Sequence, residues 1–127
     1  MNYFYKKQLN MSFTDAIEKT KTELANEGFG ILTEIDVKTT FKNKLSVEYD
    51  NYMILGACNP SFAFKALEVE KEIGLLLPCN VIVYEDKDKV FVSVILPTVA
   101  MSMVENLALA DIAKQVEEKL KKVINNL

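Results

Sequence analysis

Apolar and polar positions along this chain follow a period of two in some blocks and about 3.6 in others, and the changes of period mark out its elements. Tyr3 to Leu9 is aromatic and then Lys-rich, an opening strand. Ser12 is placed as a helix N-cap, with Asp15 three residues on, as in a capping box. Phe13, Ile17, Thr20 and Leu24 fall on one helical face, charges fill the other, and Gly28 is placed to end the helix at C′. Gly30 to Ile35 follows as a strand. Asp36 is a candidate cap for a short helix to about Leu45, whose Val37, Phe41 and Leu45 lie four apart. Tyr52 to Cys58 is a third strand, and Asn59-Pro60 opens a third helix with Asn as N-cap and Pro at the first helical position. The apolar residues of that helix are Phe62, Phe64, Ala66, Leu67 and Val69.

The longest apolar stretch, Ile73 to Tyr84, is interrupted by Pro78 and Asn80 and is too short to cross a bilayer, so it reads as buried core. Val81 to Tyr84 and Val90 to Ile95 are strands joined by the polar tip Glu85 to Lys89, the pattern of a hairpin. Pro97 ends the second of them, and Thr98 to Val104 is a candidate short helix. Asp111 to Leu127 is an amphipathic helix with Ile112, Val116, Leu120, Val123 and Leu127 as its apolar stripe. Glu117 with Lys121, and Glu118 with Lys122, are spaced four apart on its wet side. The order is βαβαβαββαα. It predicts an α+β fold in which helices pack on one face of a sheet that contains antiparallel pairs. The apolar strand residues Ile31, Ile54, Val81, Val83 and Phe91 leave the other face needing cover, and the expected cover is a second copy of the chain. With no linker, repeat or low-complexity run, residues 1–127 read as a single domain.

Composition narrows the chemistry. The 127 residues carry a net charge of −3 and contain neither Arg nor His. Without Arg, bidentate recognition of phosphate or guanine is lost, which argues against a nucleic-acid partner. Without His there is no Ser-His-Asp or Cys-His apparatus, in one chain or between two copies. The opening residues Tyr3-Phe4-Tyr5-Lys6-Lys7 place their charges after the aromatics, and no apolar h-region follows. The expectation is a soluble, cytoplasmic protein with no membrane association, in which Cys58 and Cys79 stay reduced.

Those two cysteines carry the most distinctive pattern. Cys-Asn occurs twice, in Leu55-Gly56-Ala57-Cys58-Asn59-Pro60 and in Gly74-Leu75-Leu76-Leu77-Pro78-Cys79-Asn80, each time beside a proline and at a strand end. Cys58, before a helix N-terminus, is a candidate thiolate, because free N–H groups there favour negative charge. Against that stands packing as a small buried hydrophobe. Asn59 is explained by capping alone. The spacing of Cys58 and Cys79 matches no zinc-ligand pattern, and a disulfide between them needs Cα atoms within about 7 Å. Glu34 and Asp36, two apart, share a strand face as an acid/base pair, or else Asp36 caps the next helix and Glu34 is solvated. Lys65 either faces an anion at Asn59 or is solvated. Tyr3, Phe4 and Tyr5 read as strand core or interface, and Met53, Met101 and Met103 as gap-filling core.

Three blocks together carry a resemblance. Glu27-Gly28-Phe29-Gly30-Ile31-Leu32-Thr33-Glu34-Ile35-Asp36-Val37, Leu55 to Pro60, and Gly74 to Tyr84 are similar to the hallmark blocks of the domain-of-unknown-function 302 (DUF302) family. The resemblance runs from about Tyr3 to Leu127. It implies a compact α+β domain related in shape to the TATA-binding-protein-like fold and a tendency to pair as homodimers, and it supplies no catalytic residue or substrate. Many relatives have an Asp before the proline that follows the last strand, where this chain has Leu96-Pro97. The family blocks coincide with the two Cys-Asn turns. The expectation is therefore a small homodimeric ligand-binding or sensing module with a pocket lined by Cys58, Asn59, Cys79 and Asn80, and with no cofactor or metal. The alternatives are a protein-interaction module and a thiol-dependent enzyme or redox protein using Cys58.

Overall fold

In the computed structural model, which describes residues 2–127, five strands form one antiparallel sheet. They are β1 (Phe4–Leu9), β2 (Gly30–Asp36), β3 (Tyr52–Cys58), β4 (Cys79–Asp86) and β5 (Lys89–Ile95), in the spatial order β1-β5-β4-β3-β2. The helices are α1 (Phe13–Asn26), α2 (Val37–Leu45), α3 (Pro60–Val69), α4 (Pro97–Ala100) and α5 (Leu107–Asn125). The expected α+β order is present, with one addition, a 3-10 segment at Lys71–Leu76 between α3 and β4.

Local chemistry sets the boundaries. The Ser12 hydroxyl accepts from the Asp15 N–H at 3.1 Å and starts α1. Gly28, at φ +85°, supplies the left-handed residue just after the helix ends, and Phe29 N–H returns to the Leu24 carbonyl. Asp36 caps α2 through the Thr39 N–H. In the β4–β5 hairpin, Lys87 and Asp88 both have positive φ, which suits a two-residue turn of primed type. Helix α5 starts before the expected Asp111, because Asn106 caps it by accepting from the N–H groups of Ala108 and Leu109.

Register decides which strand residues meet the helices. Val81 pairs with Leu55 and Val94, and Val83 with Met53 and Val92, so all six share one face. Helices α1 and α5 cover that face, where Leu24, Leu55, Val81, Val83, Val92, Leu120 and Val123 are fully buried. The opposite face carries Phe4 and Lys6 of β1, Phe91 and Ser93 of β5, Ile82 and Tyr84 of β4, and Tyr52 and Ile54 of β3. The expected set of uncovered residues is thus corrected. Val81 and Val83 are core, Ile31 packs against that core, and only Ile54 and Phe91 lie on the open face. Helix α2 buries no residue. Its Phe41 instead meets Tyr49, and the aromatic contacts run on through Tyr52 and Tyr84 to Phe91 along the open face.

Other expectations change in detail. The apolar stretch from Ile73 to Tyr84 is not uniformly core, since the 3-10 segment turns Leu75 out to 82% exposure while Ile73 is buried. Of the methionines, Met53 and Met101 pack against buried clusters, but Met103 is exposed. Glu117 pairs with Lys121 as expected, at 3.7 Å, yet its carboxylate also accepts from the N–H and hydroxyl of Thr98 and so holds the start of α4. Lys122 pairs with Glu27, the C-cap of α1, at 3.6 Å rather than with Glu118. Among the described residues, no helix is long and apolar enough to cross a membrane.

Candidate functional site

An apolar cavity of about 290 Å³ lies between α3, α5 and the ends of β3 and β4. Three features of the chain create it. Ala63 and Ala66 of α3 and Ala113 of α5 leave room where larger side chains would close the helix–helix contact. Phe29, Phe62, Leu109 and Ile112 form its walls. A register shift in β2 between Ile31 and Thr33 sets Leu32 out of the ladder, and this residue, 65% exposed, marks the cavity mouth with the part-exposed Leu67.

The structure brings three of the four expected site residues together here. Cys58, Asn59 and Cys79 line the cavity. Asn80 does not, because Cys79 pairs with Ala57 on the helix-covered face and the next residue points the other way, opposite Gly56. It is exposed and lines an adjoining depression with Leu75, Ile95 and Ala100. The sequence reading did not bring α5 to the site: Ile112 and Val116 were assigned to its apolar stripe, and Leu109 and Ala113 were not singled out.

Both cysteines are free thiols, and burial governs their acidity. Desolvation pushes the Cys79 thiol up from 9.0 to about 11, with Cys58 adding in the same direction. Cys58 is also pushed up by desolvation, so the helix N-terminus that follows it does not make it a ready thiolate. Asn59 occupies the N-cap position of α3 but makes no side-chain cap bond. Its Nδ2 donates instead to the carbonyl oxygen of Glu27, 3.2 Å away at the end of α1, which ties the starts of α3 and β2 together and fixes one wall of the cavity.

The other candidates serve the fold. Glu34 accepts from Lys21 of α1 at 2.8 Å, and that contact raises the Lys21 pKa, while Asp36 is spent as a cap, so the two do not act as an acid/base pair. Lys65 lies over the Phe62 ring at 5.6 Å. Gly56 is enclosed on the open face, where an added Cβ would collide with the Thr33 hydroxyl and would lie 2.9 Å from Pro78. What the site can do, with apolar walls, protonated thiols and an amide anchored to Glu27, is hold an apolar body.

The sequence profile of the family described as "Domain of unknown function DUF302" matches residues 5–127. Among solved structures, the fold is similar to the crystal structure of uncharacterized conserved protein DUF302 from Bacillus stearothermophilus, with a TM-score of 0.93 and 26% identity over 98% of each chain. No curated protein matches.

Proposed function

We propose that this chain, which belongs to the DUF302 family, is a homodimeric small-molecule binding or sensing module of the cytoplasm, with its ligand site in the apolar cavity beside Cys58, Asn59 and Cys79. The observation that carries the reading is the cavity itself. A cleft of about 290 Å³ leaves apolar side chains of α3, α5 and the strand ends facing open space, and it is a concave apolar site near the lower size limit of small-molecule pockets. Binding rather than turnover is favoured because both thiols are shifted away from the thiolate form and the chain has no His to activate them. Free cysteines suit a reducing compartment.

Dimerisation is supported by the open sheet face. Ile82, Tyr84, Tyr52, Ile54 and Phe91 form a continuous apolar and aromatic surface, and Tyr52 and Tyr84 stack with centroids 5.5 Å apart. The same surface favours a second reading, an interaction module that meets another protein through this face.

Native mass spectrometry of the protein as purified tests the proposal. A dimer carrying extra mass that disappears in the Ala63→Phe variant is the expected result. A monomer, or a dimer whose extra mass survives that substitution, rejects it.

A further inference from the structure

We infer that the cavity selects an uncharged, compact hydrophobe of about two fused rings, and that it discriminates against the corresponding carboxylate. The inference rests on the ligand-binding reading above and specifies its ligand class.

Charge is decided by the lining. Among the described residues that line the cavity none is charged, and Asn59 is the one amide. One N–H of this amide is engaged by the Glu27 carbonyl, and the other is a neutral donor that cannot balance a full negative charge. The two thiols are held protonated by burial, so they present neither a negative charge nor a strong donor. A carboxylate carried in among these walls would lose its water and find no cation in the lining to replace it. The nearest lysine along α3, Lys65, is exposed and engaged with the Phe62 ring rather than lining the cavity. A fatty acid or aromatic acid is thus disfavoured, although the apolar walls alone would accept its hydrocarbon part.

Size is decided by the volume. An engineered apolar cavity of about 150 Å³ stays dry and takes up benzene. The space here is about 290 Å³, roughly twice that. The walls are Phe29, Phe62, Leu109 and Ile112, with the polarisable sulfurs of Cys58, Cys79 and Met101 beside them. Sulfur at an aromatic ring edge is a favourable contact, which adds preference for an aromatic body.

The test compares 2-naphthalenemethanol with 2-naphthoate at pH 7 by isothermal titration calorimetry on the full chain. The two probes share the ring system and differ in charge. The expected result is one site per chain for the alcohol, with the carboxylate at least tenfold weaker. Binding of the alcohol should be lost in Ala63→Phe and in Leu67→Trp, the latter at a part-exposed position that tolerates change if the first variant fails to fold. Equal or tighter binding of naphthoate, lost in the same variants, would overturn the ligand class while leaving the pocket reading intact. Failure of both probes to bind, or binding that neither substitution affects, would overturn both.

Discussion

The side-chain amide of Asn59 lies 3.2 Å from the main-chain carbonyl of Glu27 and donates to it, across 32 residues of sequence. That single bond joins the end of α1 to the beginning of α3. Glu27 also receives Lys122 of α5 on its carboxylate, so three helices meet at one residue. Gly28 completes the junction, since it alone can hold φ +85° without strain, and a Cβ there would come within 3.1 Å of the Asn59 nitrogen.

Asn59→Ala should therefore lower stability by about 1 kcal/mol, the ordinary worth of one intramolecular hydrogen bond. Gly28→Ala should cost about 1–2 kcal/mol, from the left-handed backbone. Urea denaturation of both variants and of the double variant measures this. Because the two residues touch, their effects should not sum. Strict additivity would contradict the junction.

Gly56→Ala tests the crowding on the sheet. Thr33 is β-branched and Pro78 is a ring, so neither can move aside as a flexible side chain would. A loss of about 1–3 kcal/mol is expected, as for overpacking in a filled core. The companion change Gly30→Ala meets open space at an ordinary strand φ and should be neutral or stabilising by up to about 1 kcal/mol. Equal melting temperatures for the two variants would refute the assignment.

Alkaline stability should report on Cys79. Burial, with a smaller push from Cys58, raises its folded-state thiol from 9.0 to about 11. Between those values the folded chain keeps a proton that the unfolded chain has lost, so stability falls as pH rises through that window. The loss from this group is of order 2 kcal/mol. Tyr52, raised by burial, and Lys21, raised by Glu34, also lose stabilisation as pH rises, so the comparison must be internal. The stability difference between pH 8 and pH 11 should shrink in Cys79→Ala, whatever its baseline. An unchanged difference would show that the thiol is not desolvated.

Much of this fold was legible in the sequence, and the failures have common causes. The strand Tyr52–Cys58 and the limits of α1 follow from alternation, from Ser12 and from Gly28, all local signals. The choice of sheet face was not local. In Val81-Ile82-Val83-Tyr84 both faces are apolar, so a period of two cannot say which is buried, and only pairing with Leu55, Val92 and Val94 decides it. The site was legible in half. The two Cys-Asn turns pointed to the place, but the bond from Asn59 to Glu27 and the walls from α5 depend on contacts distant in sequence. Asn80 was misplaced because strand alternation sends it to the face opposite Cys79.

The open sheet face carries the proposed dimer. Ile82→Lys would place a second ammonium beside Lys6 among Tyr52, Tyr84 and Phe4, on a side of the sheet that α1 and α5 do not cover. The variant should stay folded by circular dichroism and become monomeric by light scattering. A folded dimer would move the interface elsewhere.

The most direct test of the cavity as the ligand site is methyl-resolved NMR during titration with 2-naphthalenemethanol. The account predicts shifts confined to Ala63, Ala113, Met101, Leu109 and Ile112 around the cavity. Shifts centred on Ile54, Ile82 and Ile95 of the open sheet face, with the cavity methyls unmoved, would contradict it.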